Sequence, residues 1–307
     1  MKHIKNILTF LVIFLIIGEV LVRLKQAVND IPQRQIDQYG IQKYIPNQKG
    51  FWRGGTHAWH VNELGWPGVL PKDFNNLITI IGDSFIENFM NPENCHQSEY
   101  LKQNLERFNF LEAGRSGVSF IESMEISKQL IKYKPITHLI YVKDNDFYES
   151  LVEVAPEDDI TQYSLKNDAL VFGKMKSPGL KKLLYNWKFM YYLYNKKYIV
   201  TTLFKTEKAT VLEERGGDDA ENIALVSDLL DRVKLNYNVS KITLVFHPNS
   251  NTNIIEKCKA IGFHTIVLNS DNDERWSFKN DNHWTCYGHE RAALQISKAL
   301  LPIISNN

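Results

Sequence analysis

The sequence predicts a doubly wound, flavodoxin-like α/β domain: a parallel sheet of about five strands with helices on both faces, preceded by one N-terminal membrane helix. Three observations predict it. After residue 76, short runs of continuous Ile, Leu and Val recur, as in strands buried on both faces. Stretches with helical spacing of apolar residues separate those runs, and this alternation builds a parallel sheet. Residues 7–22 form one long apolar run unlike anything else in the chain.

The elements follow in order. LITIIG (77–82) is an apolar run ending in a turn signal, hence a first strand. Residues 97–107 suit a helix. FNFLEAG (108–114) is a second strand, a helix is expected over 120–133, and THLIYVK (137–143) is a third strand. KITLVFH (241–247) and FHTIVL (263–268) are a fourth and fifth, separated by a helix around 252–261. YGHERAALQISKALL closes the chain as a last helix. Within the long interval 148–240, DDAENIALVSDLLDRVKLN (218–236) has helical spacing and an acidic first turn, and it is the crossover helix that the topology needs. The stretch 180–204 carries five Lys and eight aromatics. It reads either as an amphipathic helix packed on the domain or as a membrane-surface or partner-facing helix, since Lys flanking aromatics suits an interface.

Residues 26–76 read as an irregular entry segment, with Pro32, Pro46, Pro67 and Pro71 and aromatics at Phe51, Trp52, Trp59 and Trp66. Those aromatics are expected to pack the segment onto the body. The chain thus divides into an N-terminal signal anchor (1–25), the entry segment (26–76), and an α/β domain (77–305) with an insertion at about 148–217.

Composition bounds the function. With 307 residues, 44% hydrophobic and 23% charged, the chain is an ordinary globular protein and not a disordered one. Thirty-six basic against 35 acidic residues leave a net charge of +1, so no global field draws it to nucleic acid. Three cysteines (Cys95, Cys258, Cys286) allow at most one disulfide, and no C-x-x-C pair suggests zinc.

ILTFLVIFLIIGEVLV (7–22) is broken only by Glu19. As a helix it would span roughly 24 Å, at the short limit of a bilayer crossing. Lys2 and Lys5 also suit the start of a signal peptide, but EVLVRLKQAVND offers no good cleavage site. An uncleaved anchor is the leading reading, with a signal peptide and a buried core helix as alternatives. Flanking charges do not decide the topology, because Arg23 and Lys25 match Lys2 and Lys5.

In open parallel sheets, ligands bind beyond the carboxyl ends of the strands. There the sequence places Gly82-Asp83-Ser84-Phe85, Gly114-Arg115-Ser116-Gly117, Asp144-Asn145-Asp146 and, before the last helix, Asn280-Asp281-Asn282-His283-Trp284. A hydroxyl, a backbone-exposing glycine, an amide and a carboxylate–imidazole pair are the parts that acyl transfer needs. Singly each has a plainer reading: Asp83 and Ser84 as helix caps, the Gly-x-x-Gly as a turn, Asn145 as a turn residue, His283 as a structural histidine. Their joint occurrence, in order and at the strand ends, favours the catalytic one.

These residues resemble the SGNH hydrolases, also called GDSL-type lipases and esterases, over about 76–150 and 240–300 and the entry VNELGWPG (61–68). ITIIGDSF is similar to the first family block, which implies Ser84 as nucleophile. FLEAGRSG resembles the second, implying the Gly117 amide as an oxyanion donor, and YVKDND resembles the third, implying the Asn145 side chain as another. Lys143 and Asp144 stand where that block usually has glycines, which would narrow or charge the pocket. The last block usually reads Asp-x-x-His, but Asn280 stands three before His283 and Asp281 two before it. DNHWT is similar instead to the D-x-H-W form of the alginate O-acetylation branch.

The resemblance implies an acyl-enzyme mechanism with Ser84, Asp281 and His283 as catalytic residues and the Ser84 amide, Gly117 and Asn145 as oxyanion hole, without metal or cofactor. Asp83 is expected to hold the turn and Trp284 to pack beside the imidazole. The implied substrate is a small-molecule or polysaccharide ester, with O-acetyl groups on a cell-envelope carbohydrate as the leading case. The implied partners are the membrane, through residues 7–22, and a membrane-bound acyltransferase, with the domain outside the cytoplasm. A non-catalytic carbohydrate-binding or assembly component of a membrane complex is the alternative. A nucleotide-binding protein of similar strand order would need a G-x-G-x-x-G turn or a G-x-x-x-x-G-K-[ST] loop, and neither is present.

Overall fold

A computed structural model describes residues 2–204 and 220–305. Helix α1 (Lys2–Leu24) opens the chain and is long and apolar enough to cross a membrane. It is followed by two antiparallel ribbons, β1 (Arg34–Ile36) with β2 (Gln42–Tyr44) and β3 (Lys49–Phe51) with β4 (Ala58–His60). Next come β5 (Leu77–Gly82), the one-turn helix α2 (Ser84–Glu87), α3 (Gln97–Asn104), β6 (Asn109–Gly114), α4 (Phe120–Leu130), β7 (Thr137–Val142) and α5 (Asp144–Glu149). The inserted stretch holds the ribbon β8 (Gln162–Ser164) and β9 (Ala169–Val171), then α6 (Pro178–Asn186) and α7 (Lys188–Phe204). The chain resumes with α8 (Ala220–Asn236), β10 (Ile242–Phe246), α9 (Thr252–Ile261), β11 (His264–Val267), the hairpin β12 (Ser277–Phe278) and β13 (Asp281–Trp284), and α10 (Cys286–Ser305). Asp218 and Asp219 of the expected crossover helix lie outside the described residues.

The central sheet has the order β11-β10-β7-β5-β6, with every pairing parallel. This is the flavodoxin-like order the sequence predicts. Strands β5, β7 and β10 are buried on both sides, and their residues alternate between two cores as the two-residue period requires. Leu77, Ile81, Ile140 and Val142 face a core shared with α4, α8 and α9. Ile78, Ile80, Leu139 and Tyr141 face a second core, closed by α3 and α10. Each such side chain contributes roughly 1.5–3 kcal/mol by burial, so the sheet is the rigid part on which a site can be set. The strand order reverses between β5 and β7. Beyond their carboxyl ends lies the crevice where open sheets of this kind bind ligands.

Several expectations are corrected. The helix over 97–107 stops at Asn104: Leu105 leaves helical geometry so that it and Phe108 can both turn into the second core. The Lys102 ammonium then donates to the carbonyls of Glu106 and Phe108. The entry segment is ordered by its two ribbons. Trp59 and Trp66 are buried as expected, but Phe51 is exposed. The 180–204 stretch forms two helices, and α7 packs its first turns on α1. Glu19, the one charge in the apolar run, accepts from the backbone N–H groups of Lys188 and Phe189 (3.2 and 2.7 Å) at the start of α7. Arg23 donates to the Asn186 carbonyl at 2.7 Å, and Phe189 packs with Val22 and Val28. The interrupting charge is therefore a helix-to-helix clamp.

Cys95 and Cys286 form a disulfide 191 residues apart in sequence, and Cys258 is free and buried. The bridge ties the start of α10 to the turn before α3. Asn91 acts beside it, donating to the Trp284 carbonyl at 2.9 Å. Both contacts hold the β13 segment, two residues before Cys286, against the body.

Candidate active site

The first strand-end turn is built around close approach. A side chain at Gly114 would put its Cβ 2.5 Å from the Glu87 backbone nitrogen and 2.6 Å from the Ile86 carbonyl carbon, so only glycine lets α2 lie against β6. Asp83 caps α2, its carboxylate accepting from the Phe85 N–H at 3.0 Å. Ser84 then stands in the first position of α2, partly exposed, directly beyond the buried end of β5.

The opposing side chains come from β13. The DNHW segment before the last helix is not a loop but the second strand of a short hairpin. The difference explains the spacing. Residues i and i+2 of a strand leave on the same face, so Asp281 and His283 point the same way without any special loop conformation. His283 Nδ1–H donates to Asp281 Oδ1, and Nε2 accepts from the Ser84 hydroxyl at 2.7 Å. Asp281 Oδ1 also accepts from the His283 backbone N–H at 3.0 Å. Partial burial acts to raise the Asp281 carboxyl, but the His283 N–H donors and ring outweigh it and leave its pKa below the ordinary carboxylate value. Asp281 therefore stays ionised. It does not cap α10, because Thr285 takes that place and accepts from the Gly288 N–H at 3.2 Å. Asp273 is held by Arg275 and Tyr287, and Asn280 is exposed.

The imidazole is not flanked by Trp284, as the sequence suggested. Phe85 stacks on it, with ring centroids 4.7 Å apart and planes 28° from parallel. Trp284 leaves β13 on the opposite face and is buried against His247, Phe85 and Trp276. Burial pushes the His247 pKa down to about 4, so this second histidine is neutral at physiological pH.

Lys143 also departs from expectation. Its ammonium donates to Asp83 at 2.7 Å and does not project into the pocket. Burial acts to raise the Asp83 carboxyl, but the Lys143 charge, with His247 and the Phe85 N–H, holds it below its ordinary value. Asp146, fully enclosed beside the Asp83 charge, is pushed well up. Asp83 is accordingly an ionised anchor for the turn.

Ser84 and His283 open onto a cavity of about 390 Å³ whose other walls include Asn29, Pro32, Arg34, Tyr44 and Trp52. Of the expected oxyanion donors, Gly117 has φ +75°, a conformation few side chains adopt, at the loop after β6. Asn145 is exposed in the first turn of α5 after β7. Both share the sheet edge with Ser84, but neither is among the walls of this cavity.

The sequence reading missed Glu87. It lies one turn after Ser84 on the same helix, where i,i+3 spacing puts two side chains on one face, and that spacing was the available signal. Its carboxylate accepts from the Ser116 N–H at 2.9 Å, the Ser116 hydroxyl at 2.5 Å and the Tyr44 hydroxyl. It thereby ties the helix that carries Ser84 to the loop of Gly117 and to the first ribbon. Behind it, buried Arg115 donates to Glu122 at 2.7 Å. Among the described residues no group of three or more His, Cys, Asp or Glu side chains is placed to hold a metal ion.

No protein-family model and no curated protein matches the sequence. Among solved structures the chain is similar to a G-D-S-L family protein from Desulfitobacterium hafniense DCB-2 described as lipolytic, at 13% identity over 74% of this chain and 100% of that one, with a TM-score of 0.37. It is also similar to TesA, at 11% identity over 74% and 99% of the two chains and a TM-score of 0.39. A third is a member of the lipolytic protein G-D-S-L family from Veillonella parvula DSM 2008, at 12% identity over 72% and 96%, with a TM-score of 0.35. At such identities and overlaps the chemistry has to be read from this chain's own residues.

Proposed function

We propose that the chain is a serine-dependent ester hydrolase or O-acyltransferase, acting through an acyl-Ser84 intermediate on O-acetyl groups of a cell-envelope carbohydrate. One observation carries the reading: His283 bridges the Ser84 hydroxyl and the Asp281 carboxylate in a single hydrogen-bonded row. A serine so placed can lose its proton as it attacks, and the charge that forms on the imidazole is met by an ionised carboxylate.

Ser84 Oγ bonds to the ester carbonyl carbon while its proton passes to His283 Nε2. The oxyanion is held by the Ser84 and Gly117 amides and the Asn145 side chain. The carbon–alkoxide bond then breaks and His283 returns the proton to the leaving alcohol. Water as the second acceptor gives hydrolysis; a sugar hydroxyl gives transfer. Asp83 and Glu87 touch no reacting atom and act by positioning. A fluorophosphonate probe on the full chain is expected to label Ser84 stoichiometrically, as read by peptide mass. Absence of labelling would favour the non-catalytic alternative.

We place the domain outside the cytoplasm, anchored by α1 as an uncleaved signal anchor. The Cys95–Cys286 bridge suits an oxidising compartment. The apolar, exposed flank of α1 suits lipid. The full-length protein is expected to sediment with membranes through high-salt and carbonate washes, and residues 30–307 to be soluble. Recovery of the natural protein in the supernatant, beginning near residue 28, would show a cleaved signal instead.

A further inference from the structure

The active-site cavity adjoins a second one of about 180 Å³ that reaches Gln42 and, on α6, Lys181 and Tyr185. Ile31, Pro32 and Arg34 border both, so Arg34 stands where the two meet. Its placement is set by the first ribbon. Arg34 pairs with Tyr44 across β1 and β2, so their side chains leave on the same face, and the guanidinium lies over the Tyr44 ring, 5.7 Å from its centroid. Tyr44 is itself buried and bonded to Glu87. The cation is therefore held by a ring that is fixed in turn.

It is held without being neutralised. Among the described residues Arg34 has no carboxylate partner, whereas the other cations around the site have one: Lys143 with Asp83 at 2.7 Å, Lys188 with Asp30 at 2.6 Å, Lys181 with Asp159 at 3.5 Å. The cavity's carboxylates are occupied as well. Asp30 takes Lys188 and the Phe51 N–H, and Glu87 takes three donors. What remains open is the Arg34 fork of N–H donors, on the wall of the cavity that Ser84 also lines. That fork matches a carboxylate or phosphate in bidentate fashion.

We infer that Arg34 is a specificity-determining residue that binds an anionic group, carboxylate or phosphate, on the molecule whose ester lies at Ser84. This rests on Ser84 being the nucleophile, and it narrows the substrate class to acidic sugars or sugar phosphates.

The test uses the full chain in detergent micelles with four acetyl esters: a neutral aryl acetate, an O-acetylated oligohexuronate, the same oligosaccharide with its carboxyls reduced to alcohols, and an acetylated sugar phosphate. The wild-type chain is expected to prefer at least one anionic ester over the reduced oligosaccharide. Arg34→Gln is expected to lower the ratio of kcat/KM on that ester to kcat/KM on the aryl acetate about 10- to 100-fold, chiefly through KM, as loss of a charge-assisted contact implies. Arg34→Lys should recover part of the ratio, since it keeps the charge but not the fork. The arm that responds tells carboxylate from phosphate. An unchanged ratio, or equal turnover of the acidic and reduced oligosaccharides with no preference for the phosphate, would overturn the assignment. Because aryl acetate turnover depends on the Ser84, His283 and Asp281 row and not on Arg34 in this scheme, its absence would instead count against the nucleophile. In that event the affinity of the Ser84→Ala chain for the same anionic oligosaccharide and phosphate, with and without Arg34→Gln, decides the Arg34 assignment: a drop of about 10- to 100-fold supports it and no drop overturns it.

Discussion

Ser84→Ala is expected to remove turnover of a short-chain aryl ester and leave the melting temperature within about a degree or two. Loss of a serine nucleophile can cost on the order of 10⁶ in kcat where the remaining site cannot substitute another group. The fold should tolerate the change because the hydroxyl supports nothing but the site. Its side chain bonds only to His283 among the described residues, at the partly exposed start of α2, while the cap of that helix belongs to Asp83. Surface changes of this kind fall within about 0.5 kcal/mol. Residual activity above a few per cent of wild type, measured with active protein carefully excluded, would sink the covalent mechanism. A large fall in melting temperature would mean that Ser84 is structural.

The sheet was legible because parallel strands buried on both faces read as near-continuous apolar runs, as β5, β7 and β10 do, although β6 carries Glu112 and the edge strand β11 is partly exposed. The Gly82-Asp83-Ser84 turn and the D-x-H pair stood out because acyl transfer would need such residue types at strand ends. What stayed hidden depends on partners far away in sequence. Glu19 looked like a flaw in an apolar helix until α7, some 170 residues later, supplied the N–H groups it caps. Glu87 was visible as a carboxylate one turn after Ser84, but Tyr44 and Ser116, which define its task, come from two other elements. Phe85, and not Trp284, stacks on the imidazole, and this was missed because the period of a strand was not assigned to residues 281–284. Once it is, Trp284 must point away from the face shared by Asp281 and His283.

That same strand period makes the charge of Asp281 the sharpest point to test. Asp281→Asn keeps a carbonyl oxygen that can accept from both His283 Nδ1–H and the His283 backbone N–H, so the imidazole should keep its place. What it removes is the negative charge that steadies the imidazolium formed as Ser84 attacks, and it permits the amide to turn and favour the wrong tautomer. In chymotrypsin-type proteases, the reference case for this change, the cost is about 10⁴ in kcat with a buried aspartate. Here the Asp281 side chain is 45% exposed, and water weakens the charge it presents. The expected loss is therefore smaller, roughly 10² to 10⁴ in the acylation rate, with the melting temperature nearly unchanged. Asn280→Ala, at an exposed position outside the hydrogen-bonded row, should change the rate by no more than about twofold. Pre-steady-state release of the aryl alcohol separates acylation from deacylation and so reads the step in which His283 first takes the proton. If Asp281→Asn acylates within tenfold of wild type, the hydrogen bond orients the ring without supplying charge, and the imidazolium must be stabilised from elsewhere. Asp83, ionised, held by Lys143 and adjacent to Ser84 in the same turn, is then the anion to substitute next.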